Sequence, residues 1–237
     1  MSSTDHFATA LIDARRTGDR VTPAFEPNYT EALEIQAKVQ NAIGEVSGFK
    51  VARQEDGPPI MAPIPANATI EPGTSVTTRD QMGIELEIGF ELIADYTADA
   101  LTRPQDFFRP RVMIELVDTR MSGVLAPMQK LADMQLNCGL VVGPALDAWD
   151  GSDFGTVTAS LRCGDKTIVD GDATVPFGAS ALTNLALLCD NLGDHCGGLQ
   201  KGQIVITGSL SGCEFFPAGT DVVGHIAGFG EVSCRLI

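Results

Sequence analysis

The 237-residue sequence predicts an α+β protein that is mainly β, with helices at its N-terminus packed on a large, mostly antiparallel β body. Three observations predict it. Residues 1–46 place apolar side chains at helical spacing with few glycines between them. From Gly48 onward the chain breaks into short β-branched runs separated by Gly, Pro and Asp. Only Ala179 to Leu192 returns to a helical stripe, through Leu182, Leu185, Ala186 and Cys189. No repeat or linker divides the chain, so it reads as one domain over 1–237, a helical arm at 1–46 and a β-rich body at 47–237.

Taken in order, Phe7, Leu11 and Ile12 mark a first helix that Ser3 or Thr4 would cap. Leu33, Ile35, Val39 and Ile43 mark a second, capped by Thr30, and the intervening TPAFEPN is rich in helix breakers. Lys50 lies in a strand-like stretch, Ser47 to Ala52. Further strands are expected at Ile84–Ile93, Val112–Val117, Leu140–Val142, Gly155–Leu161, Thr167–Val169, Ile204–Thr207, Val222–Ile226 and Val232–Leu236. The segments around CGDK and GFG read as hairpin turns.

Composition narrows the function. With 44% hydrophobic and 20% charged residues the chain belongs with globular proteins. Sixteen basic against 31 acidic residues give a net charge of −15, which repels nucleic acid and anionic membranes and otherwise reads as metal sites or as plain solubility. The six cysteines form no CxxC pair and read as small core residues in a reducing compartment. No apolar stretch reaches membrane-span length and the start, MSSTDHFATA, has no signal-peptide pattern, so a cytoplasmic protein is expected.

In Ile84-Glu85-Leu86-Glu87-Ile88-Gly89-Phe90-Glu91-Leu92 the apolar residues occupy the even positions, which puts Glu85, Glu87 and Glu91 on one strand face. That face is either a cation site or an ordinary solvated acidic surface. Glu115 interrupts the apolar run Val112 to Val117, where an ionised carboxylate needs a cation or an ion-pair partner such as Arg120 or Lys50. Three carboxylates without a His or Cys cluster make a hard-oxygen set that suits Mg2+ or Mn2+ rather than Zn2+. Lys50 is either a snorkelling surface residue or, pointing inward, an anion-binding or acid-base group. Gly208 and Ser209 end a strand where backbone could approach a ligand, or simply turn the chain. His6, His195 and His225 stand in no triad context, and neither GxSxG nor a strand-linked GxGxxG occurs.

In their order these segments resemble the 2-keto-4-pentenoate hydratase / 2-oxo-hepta-enedioate hydratase branch of the fumarylacetoacetate hydrolase superfamily. Gly48 and Lys50 look like its G-x-K-x-G strand, Glu85 and Glu87 like its E-x-E metal pair, and Glu115, Asp118 and Arg120 like its E-x-x-D-x-R segment. Ala132-Asp133 through Asn137 to Gly143 and the phrase Leu199 to Ser209 follow the same pattern. The resemblance implies a fumarylacetoacetase-type fold with Mg2+ or Mn2+ on Glu85, Glu87 and Glu115. It implies catalytic roles for Lys50 and Asp56, the latter standing in a shortened segment for the family's Asp. Substrate oxygens would be held by Lys50 and by Gly208, Ser209 and Leu210 with their amides. The implied reaction is hydration of a 2-hydroxy-2,4-dienoate, with decarboxylation of a 2-oxo-enedioate, acylpyruvase-type C–C hydrolysis and a non-catalytic partner role as alternatives. A homo-oligomer, or a complex of hydratase-like with decarboxylase-like chains, is the implied assembly.

Overall fold

The computed structural model describes residues 2–176 and 180–237. The arm forms two helices, α1 (Ser3–Thr17) and α2 (Tyr29–Ile43). Their caps differ from the expectation. Ser2 caps α1 and Asn28 caps α2, because each has an acid three residues on, Asp5 and Glu31, that returns the bond to the cap amide. Thr30 therefore lies inside α2.

The body then runs β1 (Val46–Ala52), β2 (Ile60–Pro65), β3 (Thr69–Ile70), β4 (Thr74–Val76), β5 (Gln81–Leu92), α3 (Pro104–Phe107), β6 (Phe108–Val117), α4 (Pro127–Ala132), β7 (Asn137–Ala145), β8 (Thr156–Cys163) and β9 (Lys166–Thr174). It ends with α5 (Ala181–Leu192), β10 (Ile204–Ser209), β11 (Glu214–Pro217), β12 (Asp221–Ile226) and β13 (Gly230–Leu236). All the expected strands are present, most of them longer than expected. The expected start of the last helix, Ala179, lies outside the described residues; Ser180 caps α5. Two short helices, α3 and α4, were not expected, since each is launched by a proline in its first turn and is too short to show periodicity.

Eight strands form the first sheet, in the order β2-β1-β10-β5-β6-β7-β3 with β11 also on β5. Its two ends are consecutive in sequence, joined by residues 66–68 alone, so the sheet rolls towards closure. Inside the roll Ile64 of β2 packs with Met113, Leu140, Ile204 and Ile206 from strands that are not its neighbours. Gly89 makes room for this plug: a Cβ there would stand 2.9 Å from Met113 Cγ and 3.1 Å from Ile204 Cγ2.

The second sheet, β4-β13-β12-β8-β9, covers the opposite face of the first. The main core lies between them, with Ile84, Leu86, Ile88 and Phe90 of β5 against Leu161, Val222 and Val232. Most strand pairs are antiparallel; β1/β10, β3/β7 and β4/β13 are parallel. A smaller core joins α1, α2 and α4 to Ala62 of β2 and Met134. No helix among the described residues is long and apolar enough to cross a membrane.

Candidate metal centre

Strand alternation turns the even residues of β5 into the core and the odd residues into the roll. Glu85 stands opposite Glu115 of β6, and Lys50 of β1 stands beside Ile206 of β10 on the same face. Above the apolar plug the roll therefore carries three acids and one lysine. Carboxylate oxygens of Glu85, Glu87 and Glu115 lie within 4.8 Å of one another. Glu115 is 0% exposed and Glu87 3%, although both are acids.

Of the two expected ion-pair partners Glu115 takes Lys50, and it adds an amide. Lys50 Nζ donates to its two oxygens at 2.6 and 2.8 Å, and Asn137 Nδ2 donates to Oε1 at 2.8 Å. The other lysine-like candidate, Arg120, is bound instead to Asp133, its Nε 2.7 Å from Oδ1. Glu87 Oε2 accepts from the Gly208 amide at 2.7 Å. Gly208 has φ +114°, in a register shift between Ile206 and Ser209 that turns its N–H into the roll.

One ammonium faces three carboxylates, and their proton affinities record the imbalance. Burial, then Glu115, pushes Glu85 up to about 7. Burial, then Glu115 and Glu85, holds Glu87 well above the usual carboxylate range. For Lys50 burial acts downward, but Glu115, Glu85 and Glu87 outweigh it and hold the ammonium above its ordinary value. Charges crowded this way are relieved by a cation.

The residues present fit a divalent metal of the hard class. All three donors are carboxylate oxygens at mutual distances one ion can span. Around them the side-chain oxygens of Gln135, Asn137 and Asn184 are buried without a donor, as expected where metal-bound water would supply one.

A cavity of about 190 Å3 opens over the cluster, lined among others by Lys50, Arg53, Gln135, Asn184 and Ser209. Asn184 reaches it from α5, anchored by its amide to Thr207 O at 2.7 Å. Gln135 reaches it from a turn in which Met134, Gln135 and Leu136 all have positive φ, and its carbonyl lies 3.4 Å from Lys50 Nζ.

Of the residues picked out from the sequence, Lys50, Glu85, Glu87, Gly208 and Ser209 meet at this cavity, with Glu115 behind Lys50. Leu210 is buried and its amide is already bound to Leu86 O. Asp56 is exposed on the bend after Arg53 and does not border the cavity. Glu91 shares the carboxylate face but pairs with Arg111 at 2.8 Å, beyond the plug. His195 is bound to Gln36 at 2.9 Å, away from the cavity. Gln135 and Asn184 were missed, being ordinary amides without pattern; Asn137 stands in a family-like stretch but was given no role, and Arg53 is one charge in a loop.

No family model matches the sequence, and no curated protein matches it. Solved structures do. 4-Oxalocrotonate decarboxylase from Pseudomonas putida G7, complexed with magnesium and adipate, superposes with a TM-score of 0.80 at 17% identity, over 99% of this chain and 97% of that one. Its complex with calcium and acetate gives 0.81 at the same identity and coverage. Fumarylpyruvate hydrolase from Pseudomonas aeruginosa, in complex with Mn2+ and pyruvate, gives 0.58 at 16% identity over 82% of this chain and 91% of that one. The rolled sheet, its covering second sheet and the N-terminal helices thus make up the fumarylacetoacetase-type fold, and this chain has it.

Proposed function

We propose that the protein is a divalent-metal-dependent lyase of the fumarylacetoacetate hydrolase superfamily acting on 2-oxo acids, and that its reaction is the decarboxylation of a 2-oxo-3-enedioate. The observation that carries this reading is the composition of the cavity: three carboxylates, one buried ammonium and a guanidinium, with no histidine or separate water-activating base among the described lining residues. A bound Mg2+ or Mn2+, held by Glu85, Glu87 and Glu115, would supply a Lewis acid for the 2-oxo and adjoining carboxylate oxygens and stabilise charge at the 2-oxo position.

Loss of CO2 from such a vinylogous acid needs that electron sink and one proton donor. It needs no activated water, which hydration and hydrolysis both do. Lys50, held as an ammonium, is the proton carrier beside the enolate oxygen. The Asn184 side-chain oxygen and the Ser209 hydroxyl orient the substrate's polar atoms. Arg53 at the rim receives the distal carboxylate and selects dicarboxylates. The adipate complex of the decarboxylase with the same fold, over nearly the whole of both chains, supports the same substrate class.

The motif order favours a second reading, hydration of a 2-hydroxy-2,4-dienoate, although Asp56, the residue that reading would use, does not border the cavity. Ultraviolet absorbance and CO2 release separate the two. With Mg2+ or Mn2+ the protein is expected to consume a 2-oxo-3-enedioate with stoichiometric CO2 and to leave 2-hydroxypenta-2,4-dienoate unchanged. Consumption of the dienoate without CO2 would transfer the assignment to hydration.

A further inference from the structure

A second cavity, of about 470 Å3, lies between α1, the loop entering β5 and the loop leaving β6. Arg15 of α1, Arg79 and Arg120 border it. Arg120 is buried and Arg15 largely so, and they share one carboxylate: Arg120 Nε is 2.7 Å and Arg15 Nη2 3.5 Å from the same oxygen of Asp133. That leaves Arg15 Nε and Nη2 and Arg120 Nη1 buried without a hydrogen-bond partner. Orphaned buried donors are costly, and they call for an acceptor.

The one other acid on the wall, Asp118, is already engaged by Arg20 at 2.8 Å and by the Thr119 amide at 2.7 Å. Burial, then the neighbouring Arg120, pushes the Arg15 guanidinium down to about 10. In a chain of net charge −15 this is a local excess of positive charge. Ile43 and Met82 give the cavity an apolar side as well.

We propose that this cavity is a second binding site, distinct from the carboxylate cluster, that takes a small organic acid. Its carboxylate meets the guanidinium groups of Arg15, Arg79 and Arg120, and its hydrocarbon body lies on Ile43 and Met82. Guanidinium forks match a planar carboxylate with paired N–H donors. Inorganic phosphate shares the anionic chemistry but leaves the apolar side uncovered, so it binds more weakly.

Isothermal titration of hexanoate and of inorganic phosphate into the full chain, first treated with a chelator, tests this without involving the metal centre or its reaction. Hexanoate is expected to bind one site, at least tenfold more tightly than phosphate. Arg79→Gln, at an exposed rim position, should weaken hexanoate at least fivefold. Arg15→Met should abolish binding and yet melt at or above the wild-type temperature, since it removes a buried charge that lacks a full partner. The proposal is overturned if the chelated protein binds neither anion, if phosphate binds as tightly as hexanoate, or if Arg79→Gln leaves hexanoate affinity unchanged. The exposed Arg79 variant decides the matter even if Arg15→Met does not fold.

Discussion

Glu115 is gripped by the Lys50 ammonium and the Asn137 amide together, so a cation that takes its oxygens competes with the lysine. Lys50→Met removes that competitor along with the proposed proton carrier. The expected outcome is a fall in kcat of about 100-fold or more, with metal affinity kept or tightened. A kcat within about threefold of wild type would take Lys50 out of the reaction. Glu115→Gln keeps the volume and loses the charge, and should lose both metal binding and turnover; unchanged metal affinity in a titration would leave Glu115 as an ion-pair partner only. The metal-free protein should also carry the signature of Glu85, whose carboxyl is pushed up from 4.5 to about 7 by burial and then by Glu115. A group raised in this way holds its proton more tightly folded than unfolded. Its contribution to stability is therefore whole below about 4.5 and is lost as pH rises to about 7. Thermal melts in chelator should fall across that window relative to melts in saturating Mg2+, and parallel curves would remove the crowded carboxylates from the account.

The strands set what the residues can do, and the plug beneath the cluster is the place to test them. Gly89→Val on β5 would push a branched side chain into Met113 and Ile204, at a cost of about 1–3 kcal/mol in a denaturant melt. Asn28→Ala, which removes the α2 cap far from the cavity, should cost about 1 kcal/mol and leave kcat unchanged. A changed kcat would mean that the helical arm bears on the reaction. The alternation in β5 was legible because the strand is apolar on one face only, and period two then fixes where its acids point. β2 was not legible: Ile60–Pro65 holds Pro63 and Pro65, which read as breakers and are tolerated because β2 ends the hydrogen-bonded order of the sheet. The Lys50–Glu115 pair spans 65 residues, and sequence could name both members as candidates without choosing between Lys50 and Arg120 as partner. The choice belongs to the sheet order, which brings β1 beside β10 and so onto the face of β5 and β6. Asn137 and Asn184 are placed by the same topology; Asn137 stands in a recognisable stretch without a role, and Asn184 has no local signature at all.

At the scale of the whole molecule, two sheets and a helical arm divide the labour. The sandwich between the sheets supplies the main core, while the roll of the first sheet holds the polar cluster above its own apolar floor. Arg53 sits at the rim of that arrangement, and Arg53→Ala is expected to raise KM for a dicarboxylate about tenfold or more while leaving KM for a monocarboxylic 2-oxo acid within about twofold, the difference expected of one charge-assisted contact. Equal effects on the two substrates would place the distal carboxylate elsewhere. The floor itself has a kinetic meaning. Ile206, Met113 and Leu140 are fully buried and close the roll behind the carboxylates, so the chamber has no exit through its floor. What comes in cannot leave through that floor. On the proposed decarboxylation, the dienoate left after CO2 departs would still carry the oxygens by which the substrate is held, and while it lingers it would bar the chamber to the next molecule. Traffic would then be one-lane: the organic product is expected to inhibit competitively against fresh substrate, and progress curves should slow as product accumulates long before the reaction nears equilibrium.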